Sequence, residues 1–462
     1  MKKLFNTLFL LGFVLSYGQS TDYFAELNSP ATLGDARYLS MSGAMVSMSG
    51  SLTALSLNPA GAALYNHDVF SMTLGQFNAR NFKTENNYPL RGTSNLNVGN
   101  FGFLGYDQAS RLKIFFTYNS DQVYRERINY SGTGNSIQLP WIANSALTAP
   151  DYLPNIGVYE DLLYQSYATD WDENSNEYRS TADLTNVEFE HDFFRRGMRN
   201  RWTLGAGYSI NNNLSVGASA AIVHSFETVD VVHTESYPVT TDLQGFTLDE
   251  WWNNNAIGLA INAGVLYRPV HQLRLGAAIE LPHVYAFMQD WEIEFTSNRP
   301  SISNNIAQNA YGTDYQWTYI SAPKARFGAT YLFGRSGLIS TSYTATPHQW
   351  GMTPNSDLSG INSASDSLLS TEHRVAVGGE WRFGPISIRG GGAYIPQYYQ
   401  MGSAQVQRSM GLAFKERDFT LDLGWTAIDR ARGYFPFSAQ YAEELELVRS
   451  LKMLMITATW RL

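Results

Sequence analysis

Four arginines, Arg274, Arg374, Arg382 and Arg389, sit in stretches where apolar and polar residues alternate, each opposite the apolar face. A greasy slot with one cation is what an apolar molecule tipped by a carboxylate needs for binding. Such arginines also solvate and stiffen a wet interior, and residue type alone leaves both readings open. Asp35 and Arg37, far upstream, have the charges to pair with Arg374, Glu380, Arg382 or Arg389.

Other chemistry is poorly supplied. The chain has no cysteine, hence no thiolate or disulfide, and its eight histidines are scattered. No G-x-S-x-G, H-E-x-x-H, P-loop or complete G-x-G-x-x-G occurs, so the reading is a non-enzyme with no cofactor. "DWDENSNE" (170 to 177) has a faint calcium-loop pattern, but Ser175 stands where glycine is required and Thr181 where the bidentate glutamate belongs; no metal site is assigned. Acidity is local: eleven carboxylates from Asp151 to Asp192 face Arg179 alone. No basic stripe points to nucleic acid.

The elements that carry these residues read as strands. In "RWTLGAGYSI", Trp202, Leu204, Ala206, Tyr208 and Ile210 share one face, and after "NNN" the pattern resumes with Leu214, Val216, Ala218, Ala220 and Ile222. Period two marks a strand, and the short polar link marks a hairpin. Later strands put Arg268, Arg274, Glu280, Arg326, Arg374, Glu380, Arg382, Arg389 and Asp422 opposite their apolar faces, so one side is wet. Fourteen such strands can be counted. Their connections alternate between short turns and long loops, the latter near 82–93, 129–198, 234–253, 297–312, 347–371, 396–404 and 429–449. That alternation, with Gly (38), Tyr (28), Phe (25) and Trp (11) abundant, predicts an all-β, 14-stranded antiparallel transmembrane β-barrel of the outer membrane rather than a soluble sandwich.

Residues 1–18, with Lys2, Lys3 and an apolar run to Leu15, read as a secretory signal peptide. Residues 19–66 form a small-residue, apolar segment ahead of the barrel at 67–462, whose loop 129–198 is long, acidic and extracellular. A 14-stranded barrel leaves a lumen, and this segment is suited to fill it as an N-terminal plug, or hatch. Within it "SLNPAGAALYN" starts like a helix, with Asn58 as cap and Pro59 and Ala60 following.

The leader, "GDARYLSMSGAMVSMSGSLTALSLNPAGAA", hairpins such as "LYRPVHQLRLGAAIELP" and the last strand "MITATWRL" together resemble the FadL-type outer membrane transporters of hydrophobic compounds, with Asn58, Pro59 and Ala60 the most specific match. The chain departs from the family in ending on Leu462 rather than phenylalanine, and in its acidic loop. The resemblance implies passive uptake of long-chain fatty acids or aromatic hydrocarbons, caught by external loops and released past the plug or through a side gap. That gap would fall at Asn119, Ser120 and Asp121, where the third strand loses its apolar alternation; the plain alternative is a strand leaving the bilayer. Tyr159 and Leu163, at helical spacing in the long loop, read as a lid that collects apolar ligand or as a helix that simply covers the barrel mouth. Phe246, Trp251 and Trp252 read as ligand contacts or as an interfacial aromatic belt. Expected partners are hydrophobic small molecules, outer membrane lipid and lipopolysaccharide, with the barrel a monomer. The alternatives are an outer membrane component of a protein-secretion apparatus with the same fold, or a receptor for haem or another amphiphile.

Overall fold

Period-two alternation is realised as a ring of strands in the computed structural model, which describes residues 21–29, 33–83, 88–89, 93–106, 110–400, 402–434 and 445–462. The leader expected at 1–18 lies outside the described residues. The wall strands are β1 (Val69–Lys83), β2 (Thr93–Gly105), β3 (Leu112–Gly134), β4 (Val187–Ser209), β5 (Leu214–Ser236), β6 (Gly245–Val270), β7 (Leu273–Glu280 continued by Val284–Arg299), β8 (Ser303–Ile320 continued by Lys324–Phe333), β9 (Gly337–Pro347), β10 (Thr371–Phe383), β11 (Ile386–Ile395), β12 (Gln405–Glu416), β13 (Phe419–Tyr434) and β14 (Leu445–Arg461). β7 and β8 each break once, yet β7 keeps β6 on one side and β8 on the other above and below the break. β1 pairs antiparallel with β14 from Val69↔Arg461 to Lys83↔Leu447, and the ring closes.

The outer face carries the apolar residues. On β6, Ile257, Leu259, Ile261, Val265 and Tyr267 are exposed while Asn254, Ala256, Ala260 and Asn262 are buried inside; β10 repeats the pattern with Val375, Val377, Trp381 and Phe383 outside. An apolar outer band on a closed barrel is the arrangement that lipid covers. Among the described residues no helix is long and apolar enough to cross a membrane.

Several strands outrun their expected ends. β3 and β4 stay paired up to Gly134↔Val187, β5 and β6 to Ser236↔Gly245, and β7 and β8 to Arg299↔Ser303. The loops expected at 129–198, 234–253 and 297–312 thus shorten to 135–186, 237–244 and 300–302. Apolar residues mark the outer face only as far as the bilayer reaches: above Ile257 the outer positions of β6 turn to Asn255, Asn253 and Asp249. Backbone hydrogen bonding and the inner apolar face, with Trp252, Leu248 and Phe246 buried, continue past that level.

The long connection 135–186 folds into a cap. Helices α3 (Gln138–Ser145) and α4 (Val158–Gln165) and a small hairpin, Asp170–Asp172 against Glu177–Arg179, lie over the tops of β6 and β7. Ile137, Trp141, Leu162 and Leu163 from the cap pack with Phe246, Leu248, Ile293 and Phe295 from the wall. Arg299 clamps this layer, holding Asp170 and Asp242 at 2.7 Å each.

Candidate functional site

The amino-terminal segment occupies the lumen as a column, and its lower part is held by backbone. The stretch Pro59–Leu64 is a 3-10 helix rather than the α-helical start that the sequence suggests; six residues with Gly61 among them are too few to offset the nucleation cost of an α-helix. Asn58 caps it, its Oδ1 accepting from Ala60 N at 3.1 Å. The Asn58 Nδ2 donates to Val46 O (2.9 Å) and to Val265 O of β6 (3.1 Å), pinning the turn to the wall near its short-turn end. Asn262 donates to the carbonyls of Ser56 and Leu57. Gly217 of β5 leaves the room: a Cβ there would collide with the backbone of Pro59 and Ala60.

Further along the column, α2 (Ala36–Ser40 in the chain, after α1 described below) is capped by Asp35, whose Oδ1 accepts from Tyr38 N at 2.8 Å. Ala36 N donates to Thr457 Oγ1 (2.8 Å), and Gly424 admits the Ala36 backbone against β13. Arg37 reaches across to Glu380 at 2.9 Å, the kind of plug-to-wall pair the sequence suggests. Serine hydroxyls complete the hold: Ser42 to Ser409 at 2.8 Å and Ser47 to Thr330 at 2.7 Å.

The upper part is different. Helix α1 (Thr21–Asn28) puts Tyr23, Phe24 and Leu27 into an aromatic slot whose walls include Tyr285, Phe287, Trp317, Tyr319, Leu358 and Ile361. Phe24 stacks on Tyr319 with centroids 4.5 Å apart, and Phe287 stacks on Trp317 at 3.9 Å. Polar contacts flank the slot. Glu26 meets Arg195 at 2.7 Å, and Arg199 donates to the carbonyls of Glu26 (3.1 Å), Leu27 (2.8 Å) and Ser29 (3.1 Å), satisfying the helix C-terminus. Asn28 Nδ2 donates to Tyr319 Oη at 2.7 Å and its Oδ1 accepts from Ala322 N at 2.9 Å.

Beside this column the pairing of β2 with β3 is cut short. β2 pairs with β3 only from Gly105↔Ile114 up to Asn100↔Asn119, although β2 stays on β1 up to Ala79↔Thr93 and β3 stays on β4 up to Gly134↔Val187. A bulge between Ser120 and Gln122 turns β3 at that point. Among the described residues no β2–β3 rung lies above it; higher up, Asn81 of β1 donates to Arg127 O of β3 at 3.0 Å. Asn97 Nδ2 lies 3.9 Å from Met198 Sδ across the interval. Asn119 itself takes a bond from Asn100 (2.6 Å) and gives one to Ser56 Oγ of the plug (2.9 Å), while Asp121 turns inward to Arg201 at 2.8 Å.

The other residues singled out from sequence disperse. Arg374 donates to Ser42 O and Gln407 Oε1, both at 2.8 Å; Arg382 and Arg389 each hold Glu380 at 2.7 Å, and Arg389 also pairs with Asp422. These three cations are engaged by plug and wall, not by the aromatic slot. Arg274 lies near Arg37, Arg268 and Arg382. Tyr159 stacks on Trp141 at 5.2 Å in the cap, with Leu163 and Phe246 in the same cluster. Trp252 faces inward among Ile128, Phe193, Val229 and Val231, whereas Trp251, its neighbour in sequence, points to the outer face. The segment 170–177 belongs to the hairpin Asp170–Asp172 against Glu177–Arg179, in which Arg179 sits 3.3 Å from Asp172. Sequence reasoning missed Arg195, Arg199 and Arg449, the cations at the slot, and α1 itself. The signal was present in "FFRRGMRNRW", where Arg195, Arg199 and Arg201 fall on one face of a strand.

No family model matches this sequence, and no curated protein matches it. Solved structures do. A Pseudomonas aeruginosa FadL homologue superposes over 93% of this chain and 98% of its own, with a TM-score of 0.58 at 10% identity. The P. putida toluene transporter TodX covers 94% of this chain and 99% of its own (TM-score 0.56, 10% identity), and the monoaromatic hydrocarbon channel CymD 94% and 98% (TM-score 0.54, 11% identity).

Proposed function

We propose that this chain, with its FadL-type fold of a 14-stranded antiparallel barrel and its amino-terminal segment inside the lumen, is an outer membrane channel for passive uptake of hydrophobic molecules, such as aromatic hydrocarbons or fatty acids. Solute is collected at the cap around Tyr159, Leu163 and Phe246, passes to the aromatic slot by displacing α1, and leaves sideways between β2 and β3. The three similar structures are named for a FadL homologue, a toluene transporter and a monoaromatic hydrocarbon channel, which fits this class of solute.

The observation that carries the reading is the missing set of rungs between β2 and β3. Unpaired strand edges facing lipid leave backbone groups without partners and are not tolerated in a wall for no purpose. They open at the level where the plug, through Ser56 and Asn119, blocks the way straight down. A molecule soluble in hydrocarbon has no need of a water path to the periplasm.

The test is uptake of radiolabelled toluene and oleate by cells that lack other carriers, with and without the protein. Removing Asp121, the residue that the bulge inserts, is expected to straighten β3, restore the rungs and bring uptake down to the empty-cell rate while the barrel still reaches the membrane. Equal uptake by cells with and without the protein would defeat the proposal.

A further inference from the structure

Closing the lumen does not require the side chains that α1 carries. Tyr23 and Glu26 are three residues apart and so lie on one face of the helix. The Tyr23 ring stands edge-on to Phe287, with centroids 6.0 Å apart, and the Arg195 guanidinium lies 5.8 Å from its centre. The Glu26 carboxylate, its side chain 6% exposed, meets that same Arg195 at 2.7 Å and Arg449 at 3.5 Å. An aromatic ring against an aromatic wall, with a carboxylate on two arginines beside it, is the outline of an arylalkyl carboxylate.

α1 brings one carboxylate to a buried place where arginines share few anions. Arg195 also pairs with Glu227, Arg449 stands 4.0 Å from Glu126, and Arg199 holds the end of the helix. Asp121, 3.9 Å from Arg199, is already taken by Arg201 at 2.8 Å. When α1 withdraws, one carboxylate goes with it, and Arg195 and Arg449 each lose that partner. An uncharged hydrocarbon leaves the loss standing; a monoanion makes it good. A flat ring in the place of Tyr23 would inherit its edge-on contact with Phe287, which Trp317 backs from the stacked side.

We propose that the place held by Tyr23 and Glu26 is a binding site for small aromatic monocarboxylates, and that α1 is the chain's own stand-in for them. This rests on the reading above, in which solute displaces α1, and adds the chemical class that the site prefers.

The experiment uses the full chain in detergent, its fold checked by heat-dependent mobility on a gel, with equilibrium dialysis against 4-phenylbutyrate, 4-phenylbutanol and butylbenzene. The wild type is expected to bind the carboxylate at least about tenfold more tightly than the alcohol, since only the former makes charge-assisted bonds to arginine. Glu26→Gln weakens the competing helix, so affinity for all three probes rises by a common factor of roughly ten with the preference unchanged. Arg449→Gln lowers the preference for the carboxylate about fivefold or more, and it carries the test if Glu26→Gln does not fold. Equal affinities for carboxylate and alcohol in the wild type overturn the assignment while leaving a hydrocarbon channel in place. Unchanged affinities in Glu26→Gln overturn α1 as the occupant. No binding of any probe overturns both this site and the channel.

Discussion

The lower and upper halves of the luminal column are held by different means. Below, the turn at Pro59–Leu64 and helix α2 lie backbone-to-wall, with Gly217 and Gly424 admitting them and Asn58, Asn262 and Thr457 bonding to main-chain groups. Above, α1 is held through the rings of Phe24 and Tyr23, the ion pairs of Glu26, and one arginine, Arg199, on the carbonyls that end the helix. A solute can offer rings and a charge but not a peptide backbone at close approach. The lower half is therefore a fixture, and the upper half is the part a ligand can replace.

Four changes would break or sharpen this contrast. The largest effect is expected from Gly217→Leu, whose side chain has no space beside Pro59 and Ala60; the lower plug should leave its place and sensitivity to small hydrophilic antibiotics should rise many-fold. Phe24→Ala, at a residue 1% exposed, should weaken docking of α1 by about 3 kcal/mol without that antibiotic leak, seen as faster hydrogen exchange over residues 21–28 only. Asn58→Ala removes the cap of the turn and its bridge to Val265; a loss of about 1–2 kcal/mol should appear as exchange in residues 56–65 with α1 unaffected. If exchange instead spread to α1, the two halves would be one cooperative unit and the contrast would fail.

The smallest effect concerns the cap. Hydrogen bonds from Ser301 and Arg299 hold the Asp242 carboxyl below its ordinary range. A carboxyl depressed in the folded state stabilises above its unfolded pKa of roughly 4, and the contribution is lost as pH falls through the lower folded value. Exchange in residues 237–244 should therefore quicken as pH falls below about 4, with no change in α1 or the lower plug.

Legibility in the sequence follows the solvent. The outer face was readable strand by strand because lipid demands apolar residues at every second position, as at Ile257, Leu259 and Ile261. Asn58 and Pro59 were readable as a cap because capping is local, and the 3-10 form follows from the shortness of the stretch. Strand ends above the bilayer were not, since the outer face there turns polar while pairing continues to Ser236↔Gly245. The arginines were visible as residues but not as roles: Arg374, Arg382 and Arg389 are of the same type as Arg195 and Arg199, and only their partners separate plug-holding from slot-lining.

By itself the sequence determined that this chain makes a barrel, how many strands close it, and that small residues ahead of the first strand would lie against its inner side. Those follow from rules acting within a few residues: alternation, turn chemistry and side-chain size. Tertiary structure alone decided that Glu26 meets Arg195 and Arg449 and that Phe24 lies on Tyr319. These contacts join residues far apart in the chain, and a lumen that is neither water nor lipid imposes no period by which such partners could be read in advance.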